Sequence, residues 1–169
     1  MIQNYYVDER VVNALNRLPD DIMSPDLPAS EKTARELIDS EQVAGDGDLA
    51  RATAACNAAE KLYAALSRWI GRDGCHALFV RAQTQAADQH PALEVLQLRV
   101  REEPYVSCVE ESIKGFGDSA TAAAIEAMLA ATISLLGRLV GDDMASNLIE
   151  RSIPHDEREK NGSDRRLKV

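Results

Sequence analysis

Residues 66–79 read Leu-Ser-Arg-Trp-Ile-Gly-Arg-Asp-Gly-Cys-His-Ala-Leu-Phe, and residues 136–149 read Leu-Gly-Arg-Leu-Val-Gly-Asp-Asp-Met-Ala-Ser-Asn-Leu-Ile. Each stretch closes an apolar helix on an aliphatic residue and a glycine, Ile70-Gly71 and Val140-Gly141. Each then places an aspartate two positions on, Asp73 and Asp143, where a second apolar helix begins. Glycine tolerates the backbone geometry that ends a helix, and aspartate suits the free amides that start one. The pattern predicts a helical hairpin, written twice.

The likeness extends beyond the turns. At a constant offset of seventy, residues 45–81 align without a gap on residues 115–151, with twelve identities in thirty-seven positions. Gly45, Gly47, Asp48, Leu66, Arg68, Gly71, Asp73, Leu78 and Arg81 match Gly115, Gly117, Asp118, Leu136, Arg138, Gly141, Asp143, Leu148 and Arg151; the other three identities are alanine on alanine. A period of about seventy exceeds the common solenoid repeats. The expectation is one internal duplication forming a pseudo-twofold bundle of about six to seven helices.

Composition points the same way. The 169 residues are 45% hydrophobic and only 4% aromatic, and good helix formers dominate, so the fold class expected is all-α. A chain of this length can bury a substantial core. The net charge of −9 speaks against binding the phosphate backbone of nucleic acid. Three cysteines without metal-finger spacing fit a reducing compartment, and the start of the chain lacks the pattern of a signal peptide, so a cytoplasmic location is expected. The apolar run at residues 127–140 is short for a bilayer and is flanked by Glu126 and interrupted by Arg138, so no membrane span is expected.

In chain order, three parts are expected: residues 1–29 as an N-terminal helix and a linker rich in proline and aspartate, 30–153 as the duplicated bundle, and 154–169 as a charged, disordered tail. Val7, Val11, Leu15 and Leu18 have helical spacing. Ser30 is placed to cap a helix that stops at Gly45, Asp48 to cap the first long helix, and Asp118 the second. The first long helix carries Leu49, Ala52, Cys56, Ala59, Tyr63, Leu66 and Ile70 along one seam, widened by Leu62 and Trp69. The second carries Ala122, Ile125, Leu129, Ile133, Leu136 and Val140. Between the two units, Pro91 and Pro104 each open a short helix, running to about Arg101 and Lys114.

Candidate chemistry is sparse. Cys75 falls in the first turn of a helix, where the amides and the helix dipole favour a thiolate, and His76 adjoins it. Adjacent helical residues diverge by about 100°, and the counterpart of Cys75 at the offset of seventy is Ala145, so a small packing residue competes with a reactive thiol. Trp69 fits a core position better than a cofactor contact. Asp46, Asp48, Asp73, Asp142 and Asp143 fit helix starts, and no histidine or cysteine pair has the i,i+4 spacing of a metal site. No metal and no cofactor is therefore expected, and no set of nucleophile, base and orienting group assembles.

The expectation for function is a non-catalytic regulatory or adaptor module acting through protein contacts. A bundle that senses a small ligand or redox state through Cys75, His76 or Trp69 is the alternative, and an enzyme the least favoured reading. A homodimer is expected, because the second long helix is apolar on more than one face. Its outward positions Ala127, Ala130, Ala131 and Ser134 would lie against a second copy unless residues 91–114 cover them.

Overall fold

Both glycine turns form as the sequence requires. Gly71 (φ 78°, ψ 160°) and Gly141 (φ 90°, ψ 150°) take a backbone conformation in which a side chain would be strained, and each ends one helix while capping the next. Their carbonyls accept the first helical bonds of the following segments, from the amides of Cys75 (3.0 Å) and Ala145 (2.9 Å). Neither Asp73 nor Asp143 is the cap. Both sit inside the first turn, where their charge complements the helix dipole without a capping hydrogen bond.

The computed structural model describes residues 27–44 and 50–151. Six α-helices lie among them: α1 (Leu27–Ala44), α2 (Arg51–Ile70), α3 (Arg72–Ala87), α4 (Val109–Phe116), α5 (Asp118–Val140) and α6 (Asp142–Glu150). The fold is all-α, with one two-stranded ladder. The expected helix at 7–18, the turn at 45–48, the cap by Asp48 and the tail from Pro154 lie outside the described residues. Ser30 is not a cap. It is buried inside α1, which begins before it at Leu27.

Helix α5 is the axis of the bundle, packed by α1, α2, α3, α4 and α6. Its composition explains this, because an almost uniformly apolar helix needs partners on every side. Ile125, Met128, Leu129 and Leu136 are fully enclosed, each contributing about 1.5–3 kcal/mol relative to exposure. By length and composition α5 could cross a membrane; here its apolar surface is spent on the other helices. The face expected to meet a second subunit is flanked instead by α1 and α3. Ala130 is buried, while Ala127, Ala131 and Ser134 stay half-exposed in a groove of about 250 Å³.

The starts of α2 and α5 are tied by an unexpected cap. Asp118 does not cap its own helix, whose N-cap is Gly117; its carboxylate accepts the amide of Ala52, in the first turn of α2, at 3.1 Å. One free amide at a helix start is thus satisfied from the neighbouring helix. Nearby, Glu126 on α5 accepts from Arg35 of α1 (3.0 Å) and Arg51 of α2 (3.5 Å). Glu41, almost wholly buried, pairs with Lys61 at 2.6 Å.

The segment between the hairpins departs from expectation. Pro91–Glu94 is a single 3₁₀ turn, followed by strand β1 (Gln97–Leu98), which pairs antiparallel with β2 (Val106–Ser107). Arg99 extends the ladder by donating to the Tyr105 carbonyl at 2.7 Å. Proline at 104 offers no amide to a helix, so the 99–105 stretch is the tip of a hairpin, and between α3 and α5 the one α-helix among the described residues is α4. Gln83 of α3 anchors the segment by donating to the carbonyls of Leu93 (2.8 Å) and Leu96 (2.9 Å).

The two hairpins agree in their turns and differ around them. α3 has 16 residues and α6 has 9; α2 follows the long α1, α5 the 8-residue α4. The likeness described is of the turns; the helices around them differ in length.

Candidate functional site

Glu60, Tyr63, Ala64 and Ser67 recur at three- and four-residue spacing and therefore share a face of α2. The β1–β2 hairpin is held against this face. Glu60 accepts the Val106 amide at 2.6 Å, and the Cys56 thiol lies 3.8 Å from the Val106 carbonyl. That register sets Tyr105 flat on Tyr63, with ring centroids 3.6 Å apart and planes 7° from parallel. Phe79 of α3 meets both rings edge-on, at 5.9 and 5.5 Å. Such pairs add about 0.5–1.5 kcal/mol beyond their burial. This cluster gathers three of the chain's few aromatic rings.

Beyond the stacked pair, α2 and the 100–105 loop enclose an open cleft of about 800 Å³. One wall is Glu60, Tyr63, Ala64, Ser67, Arg68 and Arg72; the other is Val100, Arg101, Glu102, Glu103, Pro104 and Tyr105. The charges are in different states. Glu60 is engaged by the Val106 amide and Glu102 by Arg99 at 2.8 Å, and Arg101 interacts with another group. Arg68 and Arg72 are exposed, and neither makes a hydrogen bond or ion pair among the described residues.

The Tyr63 hydroxyl is the one buried side-chain polar atom among the described residues without a hydrogen-bond partner, on a residue only 9% exposed. An unpaired buried hydroxyl costs about 1–3 kcal/mol, which marks this position as one to explain by use. Burial, foremost, raises the pKa of Tyr63 and pushes that of Tyr105 far up, so both phenols stay protonated. Tyr105 places its hydroxyl 3.1 Å from His76 Nδ1. Which of the two atoms donates depends on the histidine tautomer. Burial lowers the pKa of His76, against an opposing pull from Asp73, and so favours the neutral ring.

The three residues singled out from the sequence are not brought together. Cys75 is fully buried, its thiol 3.7 Å from the Tyr63 carbonyl, and burial pushes its pKa up to about 12, the opposite of an activated thiolate. Cys56 is also raised, to about 11, by burial and then by Glu60. His76 supports Tyr105 from α3, outside the cleft lining. Trp69 is 60% exposed, not a core residue, and the Arg151 guanidinium lies over its ring at 5.8 Å. Among the described residues no three histidine, cysteine or carboxylate side chains are grouped to hold a metal.

Sequence reasoning passed over Tyr63, Tyr105, Arg68 and Arg72. Tyr63 was read only as part of the seam. Ala64, Arg68 and Arg72 have i,i+4 spacing beside it, a signal that was present; the approach of Tyr105 depends on a hairpin that was read as helix.

No family model, curated protein or solved structure matches this chain. The functional reading rests on the cleft.

Proposed function

We propose that the protein is a non-catalytic regulatory module that binds a small molecule in the cleft between α2 and the 100–105 loop. The observation that carries this reading is the cleft itself: about 800 Å³, floored by a stacked tyrosine pair and walled by two arginines without an ion pair among the described residues. Small-molecule sites are recesses of roughly 300–1,000 Å³ with apolar walls and a few placed polar groups. Two groups that could move protons are committed to the scaffold, Glu60 to the Val106 amide and His76 to Tyr105, and Glu103 stands on the exposed loop. What the cleft offers is guanidinium groups beside the apolar surface of Ala64, Val100 and Pro104, which bind.

Ala64 lies exposed on the cleft wall, so Ala64→Trp fills the recess without touching the core. Native mass spectrometry of the protein purified from its own cells should show a bound small molecule on the wild type and none on Ala64→Trp. Equal mass in both preparations counts against the reading.

A second reading, an adaptor that works by protein contacts, draws on Trp69, Leu139, Val140 and Met144. These large apolar side chains are exposed at the ends of α2 and α5 and the start of α6, with Met144 55% exposed. Self-association belongs to this reading, but its surface would be these helix ends, since α1 and α3 flank the face of α5 first expected to pair.

A further inference from the structure

The chemistry of the cleft narrows what it can hold. Resting on the small-molecule reading above, we infer that its ligand is a small molecule carrying one carboxylate, held by Arg68 and Arg72 with its apolar body against Ala64, Val100 and Pro104.

Charge is the first support. The chain has a net charge of −9, yet two guanidinium groups line one recess with no partner among the described residues. Of the three carboxylates on the walls, Glu60 is held at 2.6 Å by the Val106 amide and Glu102 at 2.8 Å by Arg99, and neither pairs with Arg68 or Arg72. Guanidinium groups match the planar geometry of a carboxylate, and charge-assisted hydrogen bonds are the stronger kind. Glu103, also on the wall, sets the charge of the ligand: it opposes the second negative charge of a phosphate monoester more than the single charge of a carboxylate.

The second support is the apolar part of the lining, Ala64, Val100 and Pro104, which suits an apolar body and gives nothing to a strongly hydrated one.

The test uses 2-naphthoate as probe, with the uncharged 2-naphthamide and 2-naphthyl phosphate beside it, titrated into the full chain and followed by amide chemical shifts. Naphthoate should shift residues of α2 and the 100–105 loop and bind about tenfold or more tightly than naphthamide, as the loss of one charge-assisted hydrogen bond implies. Arg68→Gln and Arg72→Gln, both at exposed positions, should each weaken naphthoate by about tenfold and leave naphthamide unchanged. Naphthamide binding as well as naphthoate, naphthyl phosphate binding more tightly, or indifference to both arginine variants would each overturn the carboxylate assignment. So would the absence of naphthoate binding. None of these results touches the broader reading, which stands or falls on the mass carried by wild type and Ala64→Trp.

Discussion

Each hairpin leaves a recess on its flank, and four positions line both at the offset of seventy: Tyr63 and Ile133, Ala64 and Ser134, Ser67 and Gly137, Arg72 and Asp142. The first recess is about 800 Å³, aromatic at its floor, and covered by the 100–105 loop. The second is about 290 Å³ and is covered by Ala29, Ser30, Thr33 and Glu36 of α1. At the turn the charge is reversed, arginine against aspartate. Asp142 lies close over Gly137, where its Oδ1 would be 2.6 Å from a Cβ. The same glycine turn therefore supports two different surfaces. What covers each hairpin sets the size and charge of its recess: a helix narrows the second, and a short loop leaves the first wider.

That contrast breaks most sharply at Tyr105. Its ring is 2% exposed, stacked on Tyr63, met by Phe79 and bonded to His76, so one side chain fastens the loop to the first hairpin. Tyr105→Ala should cost about 3–5 kcal/mol, the usual range for losing a large buried aromatic ring. Ile133→Ala, in the second recess, should cost less, at about 2–5 kcal/mol and toward the lower end, because Ile133 is 8% exposed and α1 still covers it. Urea denaturation of the two variants compares them. A greater loss at Ile133 would mean that the loop is not what holds the first recess in shape.

The cap between the halves should come next in size. Asp118 accepts the Ala52 amide at 3.1 Å, joining the start of α5 to that of α2. Asp118→Ala should cost about 0.5–2 kcal/mol, the range for losing a helix cap. Amide hydrogen exchange should speed up at Ala52. Acceleration confined to the first turn of α5 would show that the aspartate serves its own helix, as its position in the sequence led us to expect.

These cases show how much could be read in advance. The glycine turns, the seams at Ala52, Ala59, Leu62 and Leu66, and the buried axis at Ile125, Leu129 and Leu136 follow from local periodicity, and the structure has them. Asp118 was misplaced because a carboxylate that caps another helix has the same sequence signature as one that caps its own. Cys75 shows the same limit. Its place in the first turn of α3 is a local fact, but its inertness comes from burial behind Tyr63, which is a tertiary one. The cleft was illegible for a similar reason: its two walls are some forty residues apart and meet only because a two-residue ladder, rather than the expected helices, returns Tyr105 to α2.

The smallest expected effect concerns His76, whose counterpart at the offset of seventy, Ser146, does not titrate in this range. Burial holds the pKa of His76 below its ordinary value, Asp73 opposing, so the folded protein keeps the ring neutral to lower pH than the unfolded chain does. In the interval between the folded value and about 6.5, the ordinary value for histidine, the unfolded state binds more protons. The contribution of His76 to stability is therefore complete above the unfolded value, falls as the pH drops through this interval, and levels off below the folded value. Protonation also makes Nδ1 a donor only, so the bond to Tyr105 must then run from the ring to the phenol oxygen, and the fastening of the loop changes in the same interval. His76→Gln removes the titration and keeps a polar side chain of similar reach. Between pH 7.5 and pH 5 the melting temperature of the wild type should fall further than that of His76→Gln, and the chemical shifts of the 100–105 loop should titrate in the wild type only. Parallel falls in the two proteins would place the acid sensitivity elsewhere and leave the first hairpin, like the second, without a proton-dependent support for its cover.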